Sequence, residues 1–153
     1  MNINNFNALN LERMSEEEIL TGINDLFRLD ANIPNHDTPD GIMATAEILA
    51  NLQPLYIEMD VRLSKEYQNL KHQNDNDEDI LTYQLRKDWP YEHPNEKAPS
   101  IEYFRGKAEK QLYDSRTKEF EVYSRMKRFK ENKNALVDKI NVLKKKLDSY
   151  KYD

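Results

Sequence analysis

Apolar residues recur at three- and four-residue spacing along most of the chain, the pattern of helices that bury one face. The first such segment covers residues 16–30 and ends before Pro34. Ser15, followed three residues later by Glu18, predicts a capping box at its N-terminus. We therefore expect a short N-terminal helix over 16–30, preceded by a flexible arm of residues 1–14. The apolar positions of this helix are Ile19, Leu20, Ile23, Leu26 and Phe27.

A longer apolar seam follows Thr38 and Pro39, a pair that is typical of a helix N-cap and first turn. It predicts a helix over 39–72 with a heptad-like repeat. Pro54 lies inside this segment, where a proline removes one backbone hydrogen bond and clashes with the preceding turn. We expect the helix to be kinked there. The seam consists of Ile42, Ala46, Leu49, Leu52, Tyr56, Met59, Leu63, Tyr67 and Leu70.

The middle of the chain is polar and rich in turn-forming residues. Residues 72–79 are acidic and favour a loop, residues 78–87 are compatible with a short helix, and residues 89–99 contain three prolines. The proline-rich segment predicts the tip loop of a helical hairpin. Trp89 and Tyr91 lie within it, and two interpretations stay open. They are either an exposed aromatic hook for a protein partner or a cap folded back on the helices.

Ser100 begins the last predicted helix, which runs over 100–151 without a proline. A second apolar stripe suggests that this helix packs against more than one neighbour, and it consists of Tyr113, Phe120 and Tyr123. The fold predicted is all-α, a long antiparallel helical hairpin or coiled-coil-like bundle that forms one domain over 15–153. The main seam of the last helix consists of Leu112, Ser115, Glu119, Val122, Met126, Phe129, Lys133, Leu136, Ile140, Leu143, Leu147 and Tyr150.

Charge divides the sequence sharply. Residues 1–103 carry 8 Lys/Arg and 20 Asp/Glu, a net charge of −12, whereas residues 104–153 carry 15 and 8, a net charge of +7. Such asymmetry favours either nucleic-acid contact by the basic part or pairing between the two parts. A dense acidic run could serve as a protein-interaction surface together with Trp89 and Tyr91, and it contains Asp75, Asp77, Glu78 and Asp79.

Several classes of chemistry lack their usual signatures. The chain has no Cys, and His36, His72 and His93 do not have zinc-site spacing. The acidic run lacks the Gly and the final Glu of a calcium loop, and the sequence contains no phosphate-binding Gly-rich loop. No signal peptide or membrane-length apolar run occurs either. We expect a cytoplasmic protein that is not an enzyme and has no metal, cofactor, small-molecule substrate or membrane contact.

The last helix carries many cations interleaved with aromatic residues. Lys and Arg attract phosphates and aromatic rings stack on unpaired bases, so this pattern suits single-stranded nucleic acid. The alternative is that the rings are core and the cations line the solvated flank of a coil. The candidate nucleic-acid-binding residues are Arg105, Lys107, Lys110, Arg116, Lys118, Tyr123, Arg125, Lys127, Arg128, Lys130 and Lys133.

This arrangement, with the segment Leu63-Ser-Lys-Glu-Tyr67 in a long helix and Ser124-Arg-Met-Lys-Arg-Phe129 in a basic one, resembles the small helical recombination mediators of T-even-type phages. The resemblance covers roughly residues 42–150 and is architectural. It implies a non-enzymatic accessory that forms homo-oligomers, holds single-stranded DNA and helps to load a recombinase onto strands covered by single-strand-binding protein. It also implies a host-cytoplasmic location for a phage-encoded chain.

Two other functions fit the same sequence. A phage protein could bind and inhibit a host enzyme or defence complex through its acidic part, which would dock on a basic groove or mimic nucleic-acid charge. A structural coiled-coil protein is the other alternative. The sequence leaves open the oligomer number, the direction in which the helices pair, and the preference for DNA or RNA.

Overall fold

The computed structural model describes residues 8–151. Within them the chain is all-α, as predicted, and no β-strand occurs in this range. The helices are α1 (Ala8–Leu11), α2 (Glu16–Ala31), α3 (Pro39–Glu92), α4 (Ile101–Gln111) and α5 (Tyr113–Ser149).

The N-terminal helix begins where the sequence places it. The Ser15 hydroxyl accepts from the Glu18 amide at 3.1 Å, and the Glu18 carboxylate accepts from the Ser15 amide at 2.9 Å, which confirms the capping box. Its buried positions include Ile19 and Ile23, but Phe27 is exposed. The sequence predicts a flexible arm over 1–14, but the described residues 8–14 include α1 and a buried Leu11. Residues 1–7 lie outside the described residues.

Helix α3 is longer than expected. It begins at Pro39, and the Thr38 hydroxyl caps it by accepting from the Gly41 amide at 3.1 Å. A side chain at Gly41 would collide with the Asn35 carbonyl oxygen, 1.8 Å from an added Cβ, so this start requires glycine. The helix then continues through Pro54 and through the acidic run to Glu92.

Four boundary predictions are therefore corrected. The loop predicted over 72–79 and the separate short helix over 78–87 are both parts of α3, because tertiary partners satisfy their polar side chains. The tip loop is shorter than 89–99, since Trp89 to Glu92 form the last turn of α3. The last helix is interrupted at Leu112, whose amide is shared between the carbonyls of Ala108 and Glu109 at 3.1 and 3.2 Å.

The chain divides into two compact units. Unit 1 comprises residues 1–62 and 126–153, and unit 2 comprises residues 63–125. The predicted single domain over 15–153 stays a prediction.

In unit 1, the segments of α3 and α5 lie antiparallel. The rings of Tyr56 and Phe129 are 5.6 Å apart, and the Lys133 ammonium contacts the Asp60 carboxylate at 2.8 Å. Near the other end of this segment the Tyr150 hydroxyl donates to the Asp37 carbonyl at 3.0 Å. The core of unit 1 is apolar and includes Leu11, Ile19, Leu26, Ile42, Leu52, Leu55, Met59, Leu136, Ile140 and Leu143.

Unit 2 is an antiparallel helical hairpin, formed by α3 from residue 63, the loop, α4 and the start of α5. Its closed end is packed by Trp89, which lies edge-on to Phe104 with ring centroids 5.8 Å apart. Farther along, Tyr67 packs on Tyr123 at 5.2 Å. Between these aromatic contacts the buried residues include Ala108 and the polar Asn74 and Thr82.

Among the described residues, no helix combines the length and apolar character that crossing a bilayer requires.

Candidate interaction surfaces

The predicted seam of the last helix is confirmed except at its last position. Its members from Leu112 to Leu147 are all buried or half-buried, including the polar Ser115, Glu119 and Lys133, whereas Tyr150 is exposed. Met126 and Phe129 are therefore core residues of unit 1, as the alternative interpretation holds, and they offer no free ring or thioether to a nucleic acid.

The second apolar stripe remains largely uncovered. We name Tyr113, Phe120 and Tyr123 the aromatic face of unit 2. Tyr113 and Phe120 expose 70% and 68% of their surface, and Tyr123 is partly covered by Tyr67. Within the described chain no further helix covers Tyr113 and Phe120, so the packing of this stripe against a second neighbour stays a prediction. A groove of about 280 Å³ runs beside it, lined by Tyr67, Arg116, Glu119, Phe120 and Tyr123.

Arg116 is the centre of an ion-pair cluster in unit 2 and not a free cation. Its guanidinium contacts the carboxylates of Asp75 at 2.9 Å, Glu78 at 2.6 Å and Glu119 at 2.9 Å. Partial burial by itself would lower the pKa of Arg116, but the hydrogen bonds to these carboxylates outweigh burial and raise that pKa. Arg116 thus acts as a permanent positive charge that joins α3 to α5.

Asn74 forms a buried polar contact next to this cluster. Its side chain is 1% exposed, and its amide donates to the Glu119 carboxylate at 2.9 Å and to the Ser115 carbonyl at 3.2 Å. The Ser115 hydroxyl donates back to the Asn74 side-chain oxygen. A polar pair of this kind within an apolar seam favours one register of two helices over others. The apolar pattern of the sequence does not single out Asn74, although Asn74 follows Tyr67 by seven residues and so continues the seam.

The other candidate cations fall into two groups. Lys133 is paired with Asp60 in unit 1, Arg105 lies 3.9 Å from Glu78, and Lys107 lies over the Tyr103 ring at 4.9 Å. Arg125 also has an interaction within the protein. Five cations are exposed and form no ion pair with any residue in the range 8–151, namely Lys110, Lys118, Lys127, Arg128 and Lys130.

The acidic run does not form an uncommitted docking surface. Asp75 accepts from Lys71 at 2.6 Å as well as from Arg116, and Glu78 is bound to Arg116. The hydrogen bonds from Lys71 and Arg116 lower the pKa of Asp75. Within the described chain only Asp77 and Asp79 of this run lack an ion-pair partner.

Trp89 and Tyr91 have separate roles, although the sequence groups them. Trp89 is buried, stacks on His93 with ring centroids 3.9 Å apart, and lies edge-on to Tyr103 and Phe104, so it is the cap of the alternative interpretation and not a hook. Tyr91 is 84% exposed. Of the two, Tyr91 alone offers its ring to a partner.

Folding also removes most of the charge asymmetry. Unit 1 combines 12 Lys/Arg with 15 Asp/Glu, a net charge of −3, and unit 2 combines 11 with 13, a net charge of −2. The basic helix α5 thus contributes to two units that are each close to neutral. Attraction of nucleic acid has to come from local patches and not from the field of a basic half.

No group of three or more His, Asp or Glu side chains in the described range is arranged to hold a metal ion. Comparison with known proteins gives no match to a family model, a curated protein or a solved structure. The resemblance to phage recombination mediators therefore stays a prediction.

Proposed function

We propose that this protein is a non-enzymatic accessory of DNA recombination or replication, of the phage mediator type, which binds single-stranded DNA and protein partners. The observation that carries the proposal is the aromatic face of unit 2. Two of its rings, Tyr113 and Phe120, are about two-thirds exposed on a helix whose core face is already occupied. Exposed rings of this kind are suited to stacking on unpaired bases, which are absent from an intact duplex.

A second group of residues in unit 1 supports the same proposal. Lys127, Arg128 and Lys130, here named the cationic patch, are exposed and have no ion-pair partner among residues 8–151. Cations that are not neutralised within the protein can replace the counterions of a nucleic-acid backbone. A single strand is flexible, so it does not need a fixed geometry between the patch and the aromatic face.

The proposal includes self-association and a cytoplasmic location, the host cytoplasm for a phage-encoded chain. Self-association comes from the mediator resemblance, and the cytoplasmic location comes from the absence of Cys. The rival proposal of an inhibitor that docks through its acidic run has less support, because Asp75 and Glu78 are already bound to Arg116.

The test is a fluorescence-anisotropy titration of labelled oligo-dT with the purified full chain, with the mass in solution measured alongside. Phe120→Ala removes one stacking ring and is expected to weaken binding roughly 5- to 150-fold, the equivalent of about 1–3 kcal/mol for one base. Tyr83→Ala is the matched control, because Tyr83 is 66% exposed in the same unit but lies on α3. We expect it to leave the affinity unchanged.

The cationic patch is tested by the triple change of Lys127, Arg128 and Lys130 to Glu. Loss of three phosphate contacts is expected to reduce the slope of log affinity against log salt by about 2. The control changes Lys144, Lys145 and Lys146 to Glu, which alters the net charge equally in the same helix and unit. Absence of oligo-dT binding at low salt would refute the DNA proposal. If both triple variants had the same effect, the cationic patch would not be a specific contact site for the DNA.

A further inference from the structure

Helix α3 has apolar residues on two opposite faces in unit 1. One face carries core residues such as Ile42, Leu52 and Met59. The other carries a line of apolar residues at seven-, four-, three- and four-residue spacing, which keeps them on one side of a helix. We name this line the outer stripe, and it consists of Met43, Ala50, Pro54, Ile57 and Val61.

The outer stripe is largely exposed within the protein. Met43, Ile57 and Val61 expose 59%, 44% and 57% of their surface, and Ala50 is exposed as well. The far side of a surface helix is ordinarily polar. Exposed apolar side chains grouped on such a side, as Ile57 and Val61 are, indicate a surface that binds another molecule.

The size of the stripe limits what can cover it. From Met43 to Val61 it is about 27 Å long, and at a helix width of about 10 Å it offers roughly 300 Å². A stable protein dimer buries about 800 Å² on each partner. The stripe is thus too small for a stable dimer on its own, but it matches one amphipathic helix of about five turns laid along it.

The charges beside the outer stripe indicate which kind of partner can bind to it. Glu47 lies between Met43 and Ala50, and Asp40 precedes them by one turn; neither carboxylate has an ion-pair partner within residues 8–151. Arg62, the first cation of α3, is already bound to Glu58 at 2.8 Å and to the Leu11 carbonyl at 2.8 Å. On α3, the charge left available beside the Met43 end of the stripe is therefore negative, and the nearest exposed cation without an ion pair in the described range is Lys65, one turn beyond Val61.

A groove at one end of the stripe fits a cationic side chain. It has a volume of about 510 Å³ and is lined by Asp40, Met43, Ala44, Ala46, Glu47 and Leu147. Apolar walls and two carboxylates suit a Lys or Arg, which buries its aliphatic stem and keeps its charged end among acceptors. The same stripe of a second copy fits less well, because parallel pairing would bring Glu47 against itself and antiparallel pairing would bring it against Ile57.

We propose that the outer stripe of α3 is a docking site for a basic amphipathic helix of a partner protein. The apolar face of that helix covers Met43, Ile57 and Val61, and its Lys or Arg side chains lie against Asp40 and Glu47. This proposal does not depend on nucleic-acid binding, since the residues involved belong neither to the aromatic face nor to the cationic patch.

The test uses two labelled designed peptides, titrated with the full chain and followed by fluorescence anisotropy. Both are amphipathic helices of about five turns with the same apolar stripe of Leu; one has Lys and the other Glu on the flanks. We expect the Lys peptide to bind roughly tenfold or more tightly than the Glu peptide, because complementary charge selects partners. Equal affinities for the two peptides, or binding of neither, would overturn the proposal.

A pair of variants locates the site. Ile57→Gln with Val61→Gln removes two apolar contacts from the stripe and is expected to weaken Lys-peptide binding about tenfold or more. Phe27→Gln with Val142→Gln removes two similarly exposed apolar side chains elsewhere in unit 1 and is expected to have no effect. Equal losses in the two variants would overturn the location. The comparison of the two peptides on the unaltered chain stays decisive if a variant loses helicity.

The mass of the chain in solution distinguishes a second copy from a partner protein. A dimer that dissociates in the variant with Ile57→Gln and Val61→Gln would assign the stripe to self-association and overturn the proposal. We expect this variant to bind oligo-dT as tightly as the unaltered chain in either case. Failure of the docking proposal is therefore seen in peptide binding, whereas failure of the DNA proposal is seen in oligo-dT binding.

Discussion

In unit 2, Asn74 and the ion-pair cluster around Arg116 connect α3 to α5. They supply hydrogen bonds to Ser115 and Glu119 at positions where an apolar seam would place Leu or Ile. Such buried polar contacts fix a helix register, and leaving one partner unsatisfied is costly. Asp75, Glu78 and Arg116, which look available in the sequence, are here bound to each other.

Asn74→Ala is expected to lower the free energy of unfolding by about 1–3 kcal/mol, because the Glu119 carboxylate and the Ser115 hydroxyl lose a buried partner. Chemical denaturation followed by circular dichroism measures this change. Asn76→Ala is the control, since Asn76 is exposed on the same helix. Equal stability of the two variants would contradict a structural role for Asn74.

Asp75 makes stability depend on pH. Its hydrogen bonds with Lys71 and Arg116 lower its pKa in the folded state below the ordinary value of about 3.9. The ionised carboxylate therefore favours folding above about pH 4, and this contribution is lost as the pH falls through the lowered pKa. We expect Asp75→Asn to have a lower melting temperature than the unaltered protein at neutral pH. In acid the two melting temperatures should become similar.

Thermal melts at several pH values between neutral and acid test this expectation. Asp79→Asn is the control, because Asp79 is exposed and has no ion-pair partner in the described range. A constant difference between Asp75→Asn and the unaltered protein across the whole range would contradict the ionic origin of the effect.

At the scale of elements, the length of α3 is the main departure from expectation. A proline and an acidic run both lie inside a helix of 54 residues. An interior proline disfavours a helix by about 3 kcal/mol relative to alanine, so packing of the flanking turns has to outweigh it. Leu52 and Leu55, on either side of Pro54, are fully buried in unit 1 and supply that packing.

Pro54→Ala is expected to increase the free energy of unfolding, by up to about 3 kcal/mol, because the backbone regains a hydrogen bond and loses a clash. Denaturant titration measures the gain. Pro94→Ala, in the loop between α3 and α4, serves as the control and should be neutral or slightly destabilising. A loss of stability in Pro54→Ala would show that the chain needs the proline geometry at this position.

At the scale of the whole molecule, the fold distributes the charges differently from the sequence. The 15 cations of residues 104–153 would give a salt slope of about −10 on single strands if all of them contacted phosphates. Arg105, Arg116, Lys133 and Lys151 are ion-paired within the protein, and five of the candidate binding residues are exposed cations without an ion pair inside the described range. We therefore expect a slope of about −2 to −4 in the oligo-dT titration.

A slope near −10 would contradict this assignment, because it would require Arg116 and Lys133 to leave their carboxylates. A duplex of the same length is the control in that titration. The aromatic face predicts weaker binding of the duplex, whose bases are already stacked.

The all-α class, the capping box at Ser15, the start of the long helix at Pro39 and both main seams can be read from the sequence alone. These features depend on local backbone chemistry and on the 3.6-residue repeat, which neighbouring residues specify among themselves. Helix α2 and the seam from Leu112 to Leu147 were predicted for this reason.

Which polar and aromatic residues remain available for binding depends on how the helices pack against each other. The acidic run is helical because Asn74, Asp75 and Glu78 find partners on α5, some forty residues away in sequence, and periodicity carries no information about such pairs. The same is true of the aromatic residues, since Trp89 is covered and Phe120 is not. Whether a side chain at a helical surface position is exposed depends on which other segment packs against it, and that is decided by the fold as a whole.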